Sequence, residues 1–133
     1  MNRYILDACA LIAFFNGEKG AELVYVALGN NNGIYISIVN VYEIYYDMYR
    51  RGGEEKANEL LAEIEKLPLT IIEEVNRDVI KYAAFFKVNF SISLADSIVL
   101  GLGKYLKASI VTADHHKFDS IEDKKMVNFY WIR

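Results

Sequence analysis

The stretch SLADSIVLGLGKYLKASIVTAD (residues 93–114) contains the two kinds of element that decide the fold. Residues 93–106 predict a helix, and the short β-branched run SIVTA (109–113) predicts a buried strand. Helices that alternate with short apolar strands are typical of βαβ units, whose strands form a parallel sheet covered on both faces. The stretch therefore predicts an α/β fold.

The rest of the chain repeats this alternation. We predict strands at 4–7, 34–38, 69–73 and 127–132, helices at 8–16, 18–28, 41–51, 54–67 and 77–88, and a loop at GNNNG (29–33). Together these elements indicate a mainly parallel central sheet. A length of 133 residues suits a single domain over 1–133.

Composition and charge limit the possible classes of protein. The single cysteine, Cys9, allows no internal disulfide, and no run approaches the ~18 apolar residues of a membrane span. Asp7 places a charge in the apolar start of the chain, where a secretory signal would have none. We therefore expect a cytoplasmic protein without a membrane partner. The net charge of -3 argues mildly against nucleic-acid binding, unless several acids hold divalent cations.

Four acids stand where a site is expected in such a fold. Asp7 and Asp114 each directly follow a predicted strand, and ligands of parallel sheets bind beyond the carboxyl ends of the strands. Glu43 lies in the predicted first turn of the helix that follows strand 34–38, and Asp96 in that of the helix that precedes strand 109–113. Carboxylates that converge raise one another's pKa and need a counter-ion. Oxygen ligands without a Cys/His cluster favour Mg²⁺ or Mn²⁺, and magnesium at such sites commonly acts on phosphate esters.

Each acid also has a structural interpretation. Asn40-x-x-Glu43 and Ser93-x-x-Asp96 both match a capping box, in which the acid stabilises the start of a helix. Asp7 could cap the helix that follows it, and Asp114 could be an ordinary loop acid. Capping and metal binding do not exclude each other, so both interpretations stay open.

Four motifs, taken in order, resemble the PIN domain, and most closely the VapC-type toxins of toxin–antitoxin pairs. They are LDACALIAFF (6–15), VNVYEIYY (39–46), SLADSIVLGLG (93–103) and IVTADHHKF (110–118). The family's acidic positions fall here on Asp7, Glu43, Asp96 and Asp114. The resemblance implies a three-layer α/β/α sandwich, Mg²⁺ or Mn²⁺, endonucleolytic cleavage of RNA, a homodimer and a cognate antitoxin. Cys9 departs from the family, many of whose members have Ser or Thr there.

Several other residues are weaker candidates. The Thr112 hydroxyl could bond a carboxylate or a water, and Asp119 could be a fifth acid, although a solvated loop acid is the simpler interpretation. We interpret His115 and His116 as loop residues, and the tyrosines of helix 41–51 as core or subunit interface rather than a base-stacking surface. Solvation explains the basic candidates for phosphate contact equally well: Arg50, Arg51, Lys104, Lys107 and Lys117.

Other functions remain as alternatives. One is a housekeeping PIN nuclease that processes RNA without an antitoxin, and another is a non-catalytic binding module on the same fold. A phosphotransfer domain with Asp7 as nucleophile is disfavoured. Phosphatases of the haloacid-dehalogenase type need a second Asp where Cys9 stands, and response receivers need an acidic pair at the first strand.

Overall fold

The computed structural model describes residues 2–29 and 33–133, in which five strands form one sheet. The strands are β1 (Tyr4–Leu6), β2 (Ile34–Ser37), β3 (Thr70–Ile72), β4 (Ser109–Thr112) and β5 (Phe129–Trp131). Their order is β3-β2-β1-β4-β5, and every neighbouring pair is parallel. The mainly parallel sheet predicted from the sequence is confirmed.

Seven helices pack on this sheet in the described part of the chain. They are α1 (Ala8–Asn16), α2 (Ala21–Leu28), α3 (Ile38–Gly52), α4 (Glu54–Lys66), α5 (Arg77–Asn89), α6 (Leu94–Leu106) and α7 (His115–Glu122). The longest, α3, has 15 residues, and none of the described helices is long and apolar enough to cross a bilayer.

Two hydrophobic cores lie on opposite faces of the sheet because successive strand residues point to opposite sides. Leu6 and Val111 belong to the core shared with α1 to α4, whereas their neighbours Ile5 and Ile110 belong to the core shared with α5 to α7. All four side chains are fully buried. The fold is therefore the expected three-layer α/β/α sandwich.

The two central strands bring the predicted acidic positions together. Leu6 of β1 pairs in register with Val111 of β4, so the residues that follow, Asp7 and Thr112, lie side by side at the carboxyl edge of the sheet. The backbone N–H of Asp7 donates to the carbonyl of Val111 at 3.2 Å. This edge is the place where ligands of parallel sheets are expected.

Two helix starts differ from the prediction by three residues, and one helix was not predicted. Helix α2 begins at Ala21, three residues late, and α3 begins at Ile38, three residues early. Helix α7 was not predicted at all, so His115 and His116 belong to a helix and not to a loop. Most of the predicted loop at 29–33 falls on residues 30–32, outside the described residues.

Candidate active site

Asp7 is a buried acid held by two hydrogen bonds. It is the N-cap of α1, where its Oδ1 accepts from the N–H of Ala10 at 2.8 Å, and its Oδ2 accepts from the Thr112 hydroxyl. The residue is only 4% exposed. Burial raises the pKa of Asp7 to about 6, with a further contribution from Asp96, although its two hydrogen bonds oppose the shift. Asp7 thus caps the helix and also carries an unfavourable buried charge at the edge of the sheet.

Asp96 is the second buried acid, 6% exposed. Its N–H donates to the hydroxyl of Ser93, the N-cap of α6, at 3.1 Å, so this half of the predicted capping box is confirmed. Its Oδ2 is buried and receives no hydrogen bond from residues 2–29 or 33–133. The Lys117 ammonium lies 3.4 Å from that oxygen, which is an ion-pair contact without hydrogen-bond geometry.

Asp114 joins the two other aspartates through shared partners. It is the N-cap of α7, its Oδ1 accepts from the N–H of Lys117 at 3.2 Å, and its own N–H donates to the Thr112 hydroxyl oxygen at 3.1 Å. The Lys117 ammonium lies 3.4 Å from Oδ2 of Asp114, as it does from Asp96. Burial alone would lower the pKa of Lys117, but these two carboxylates raise it above its usual value. Lys117 is therefore the counter-ion of the site.

Glu43 occupies a different setting. Ser37 caps α3 by accepting from the N–H of Val39, so Asn40 and Glu43 lie inside the helix and the capping-box interpretation of this pair is wrong. The Asn40 amide nitrogen donates to Glu43 at 2.8 Å. Asn40 is 1% exposed, and its buried side-chain oxygen accepts no hydrogen bond from a described residue. Glu43 has no hydrogen bond or ion pair with the aspartates among the described contacts, and its role as a ligand stays a prediction.

The chemistry of the donor set fits a hard divalent cation. All candidate metal-binding atoms are oxygens. Two of them, Asn40 Oδ1 and Asp96 Oδ2, are buried and accept no hydrogen bond from a described residue. The buried charge of Asp7 is also poorly compensated. Within the described ranges, however, no three acidic, His or Cys side chains stand close enough together to hold a metal ion. Lys117 instead lies between two of the acids. A cation and the Lys117 ammonium would compete for the same carboxylates.

The remaining candidates lie elsewhere. Asp119 is exposed on α7, and its Oδ1 lies 2.8 Å from Nδ1 of His115, whose pKa it raises; its role as a fifth acid stays a prediction. Arg50 and Arg51 both pair with Asp47 on their own helix, at 2.9 and 2.8 Å. These contacts provide each of the three charges with a local partner.

Cys9 is half-buried beside the site, and burial raises the pKa of its thiol. That agrees with an inert, packed thiol and not with a nucleophile. Tyr42, Tyr46 and Tyr49 are 63%, 54% and 47% exposed, so they are not core residues. The predicted core role is therefore wrong for these three tyrosines, and the interface role stays a prediction.

Sequence reasoning missed two features of the site. Lys117 was predicted to contact phosphate, not to neutralise acids, and Asn40 was considered only as a cap. The spacing of Asp114 and Lys117, three residues apart at a helix start, would have indicated their contact if α7 had been predicted. No signal in the sequence marks Asn40 as buried.

The chain matches the family model of the PIN domain over residues 4–124. No curated protein sequence matches it significantly. Among solved structures it is similar to DNA-bound VapBC from Salmonella typhimurium (12% identity, TM-score 0.78, all of both chains covered). It is also similar to VapBC2 from Rickettsia felis bound to a promoter DNA fragment (18%, 0.76, 96% of this chain and 97% of that one).

A third similar structure is VapC20 of Mycobacterium tuberculosis, a toxin that cleaves the sarcin–ricin loop (15% identity, TM-score 0.68, 88% of this chain and 94% of that one). At such low identities these likenesses establish the fold alone. The family match spans nearly the whole chain and therefore establishes the family as well as the fold. By that match the chain belongs to the PIN-domain family.

Proposed function

We propose that this PIN domain is an endoribonuclease that hydrolyses RNA phosphodiester bonds with Mg²⁺ or Mn²⁺ held by Asp7, Asp96, Asp114 and Glu43. The observation that carries the proposal is that three aspartates from three segments share two partners: Thr112 bonds with Asp7 and Asp114, and Lys117 pairs with Asp96 and Asp114. A buried carboxylate oxygen without a donor is costly unless a cation binds it. Lys117 compensates two of these acids, but none of the described ion pairs includes Asp7, whose buried carboxylate is therefore left for a bound cation.

The chain's own residues have distinct roles in this proposal. A divalent cation at such carboxylates supplies a water of lowered pKa and neutralises phosphate charge. Asp7 is preorganised by Ala10 and Thr112, so its carboxylate needs no rearrangement to act as a ligand. Thr112 also binds the N–H of Asp114 and thereby fixes the distance between the two acids. Glu43, oriented by Asn40, is proposed as a ligand or as the base that orients the water.

The activity is tested by cleavage of a defined RNA. We expect cleavage with Mg²⁺ or Mn²⁺, none in EDTA, and recovery when either metal is added back. Ca²⁺, which is larger and looser in its geometry, should bind and support little turnover. Full activity in EDTA would overturn the proposal, as would an inactive protein that also fails to bind Mn²⁺.

We further propose that the protein is the toxin of a toxin–antitoxin pair, acts in the cytoplasm and forms a homodimer. The support is the similarity of its fold to toxins solved in complexes of this kind, together with the exposed tyrosines of α3. Exposed aromatic surface is enriched where proteins bind one another. Co-expression with the protein encoded by the neighbouring gene should give a stable complex. A monomer that binds no such protein would instead indicate a housekeeping RNA-processing nuclease.

A further inference from the structure

A cavity lies at the opposite end of the sheet from the acids. Its volume is about 380 Å³, and its lining includes Tyr82 of α5, Lys104 near the end of α6, Lys107 just beyond it, and Asn128. Asn128 directly precedes β5, and Ala108, also in the lining, directly precedes β4. The cavity therefore opens at the amino edge of the strands, whereas Asp7 and Asp114 follow the carboxyl ends. It is separate from the candidate active site.

The cavity carries positive charge without a neutralising partner. Neither Lys104 nor Lys107 forms an ion pair with any residue of the described ranges, and no acidic side chain is part of the lining. The Lys104 ammonium lies 5.7 Å from the centre of the Tyr82 ring. In a protein with a net charge of -3, two unpaired ammonium groups beside an aromatic ring favour an anionic ligand.

Capping of α6 does not account for these lysines. Lysines near a helix C-terminus often bind its last carbonyls. Here three of the last four carbonyls already have donors: Gly103 accepts from the N–H of Ala108 at 2.9 Å, Lys104 from the N–H of Lys107 at 3.3 Å, and Leu106 from the Arg3 guanidinium at 3.0 Å. Lys107 is therefore left without a described partner, and the Lys104 ammonium contacts only the Tyr82 ring, so both groups can bind an anion from outside the chain.

We propose that this cavity binds a phosphorylated nucleotide, with its phosphate at Lys104 and Lys107 and its base against the Tyr82 ring. The volume lies within the range of about 300–1,000 Å³ typical of small-molecule sites. Aromatic walls and basic groups together are the usual means of binding unpaired nucleotides. The exposed Asn128 amide can donate to and accept from the edge of a base. The proposal does not depend on the acids, since the two sites lie at opposite edges of the sheet.

The test is an NMR titration of ¹⁵N-labelled protein in EDTA with adenosine 5′-monophosphate and, separately, with inorganic phosphate. We expect the nucleotide to shift the amides of 103–108 and 126–128. The affinity should fall roughly tenfold or more in the double variant Lys104→Gln, Lys107→Gln, because hydrogen bonds to charged groups are the stronger ones. Lys66→Gln, which removes an exposed lysine of α4, is the matched control and should bind as the wild type does.

Two further arms make the result decisive. Tyr82→Leu should weaken the binding of the nucleotide and leave the binding of inorganic phosphate unaffected. Titration with a short single-stranded RNA shows whether the site takes a free nucleotide or a nucleotide within a strand. Binding of the RNA much more tightly than the mononucleotide assigns the site to an RNA strand, and the reverse assigns it to a free nucleotide. The proposal is overturned if the nucleotide shifts other amides, binds the double variant equally well, or binds no more tightly than phosphate.

Discussion

The buried charge of Asp7 predicts that removing it stabilises the metal-free protein. Burial raises the pKa of this group from 3.8 to about 6. At about 1.4 kcal/mol per pKa unit, the ionised side chain therefore opposes folding by about 3 kcal/mol at neutral pH. In Asp7→Asn the amide oxygen can still accept from Ala10, but the Thr112 hydroxyl must reorient, at a loss of about 1 kcal/mol. We expect a net gain of about 2 kcal/mol in the free energy of unfolding.

The dependence on pH distinguishes this cause from others. Because the folded-state pKa is raised, the favourable contribution of the protonated group is complete below pH 3.8 and is lost as the pH rises through about 6. Asp7→Asn should therefore differ little from the wild type near pH 4 in this respect. Its advantage should grow between pH 4 and 6 and stay constant above.

Urea denaturation in EDTA at several pH values measures this difference. Asp123→Asn, which neutralises an exposed acid after α7, is the control and should show no such profile. The buried charge of Asp7 does not destabilise the protein if Asp7→Asn is no more stable than the wild type at pH 7.5, or if its advantage is the same at all pH values.

Three further predictions concern the site and its support. Asp96→Asn should fold, and its rate of RNA cleavage should fall by at least roughly 10- to 100-fold, which is the loss caused by removing a residue that only supports a metal ligand. A folded variant with full activity in the RNA assay would contradict the assignment. Lys117→Gln should bind Mn²⁺ more tightly in calorimetry, because the ammonium no longer competes for Asp96 and Asp114, and weaker binding would refute that competition. Gly101→Ala should destabilise the protein by about 1–3 kcal/mol in urea, since an added Cβ would lie 2.9 Å from the backbone nitrogen of Ala83 on α5. Gly29→Ala, where the nearest atom is 3.6 Å away, is its control, and equal stability of the two variants would count against the tight α5–α6 contact.

The sheet and two of its edge acids could be predicted because their signals are local. Asp7 and Asp114 each follow a short apolar run, and the position of an acid at the end of a parallel strand needs no knowledge of distant contacts. Asp96 could be placed for a similar reason, since the Ser93 hydroxyl that begins its helix lies three residues away. The same spacing at Asn40 and Glu43 wrongly predicted a capping box, because Ser37 caps that helix.

The start of α3 could not be predicted, because Ile38 and Val39 are β-branched and favour a strand when taken alone. The Ser37 hydroxyl overrides that preference by capping the helix, which moves Asn40 into the core. Helix α7 was missed because His115–Glu122 is short and has a weak apolar period. Its position depends on Phe118 and Ile121, which are buried against distant elements. The charge balance between Lys117 and two acids depends in turn on that helix.

In the proposed reaction, carboxylates at this sheet edge direct a metal-activated water onto an RNA phosphodiester bond. The chemical identity of the product ends distinguishes this attack from attack by the ribose. An attacking water leaves a 5′-phosphate and a 3′-hydroxyl, whereas attack by the ribose 2′-hydroxyl leaves a cyclic phosphate. End-labelling of products from a defined RNA cleaved with Mn²⁺ should reveal 5′-phosphate and 3′-hydroxyl ends only. Products that end in a 2′,3′-cyclic phosphate would contradict the account.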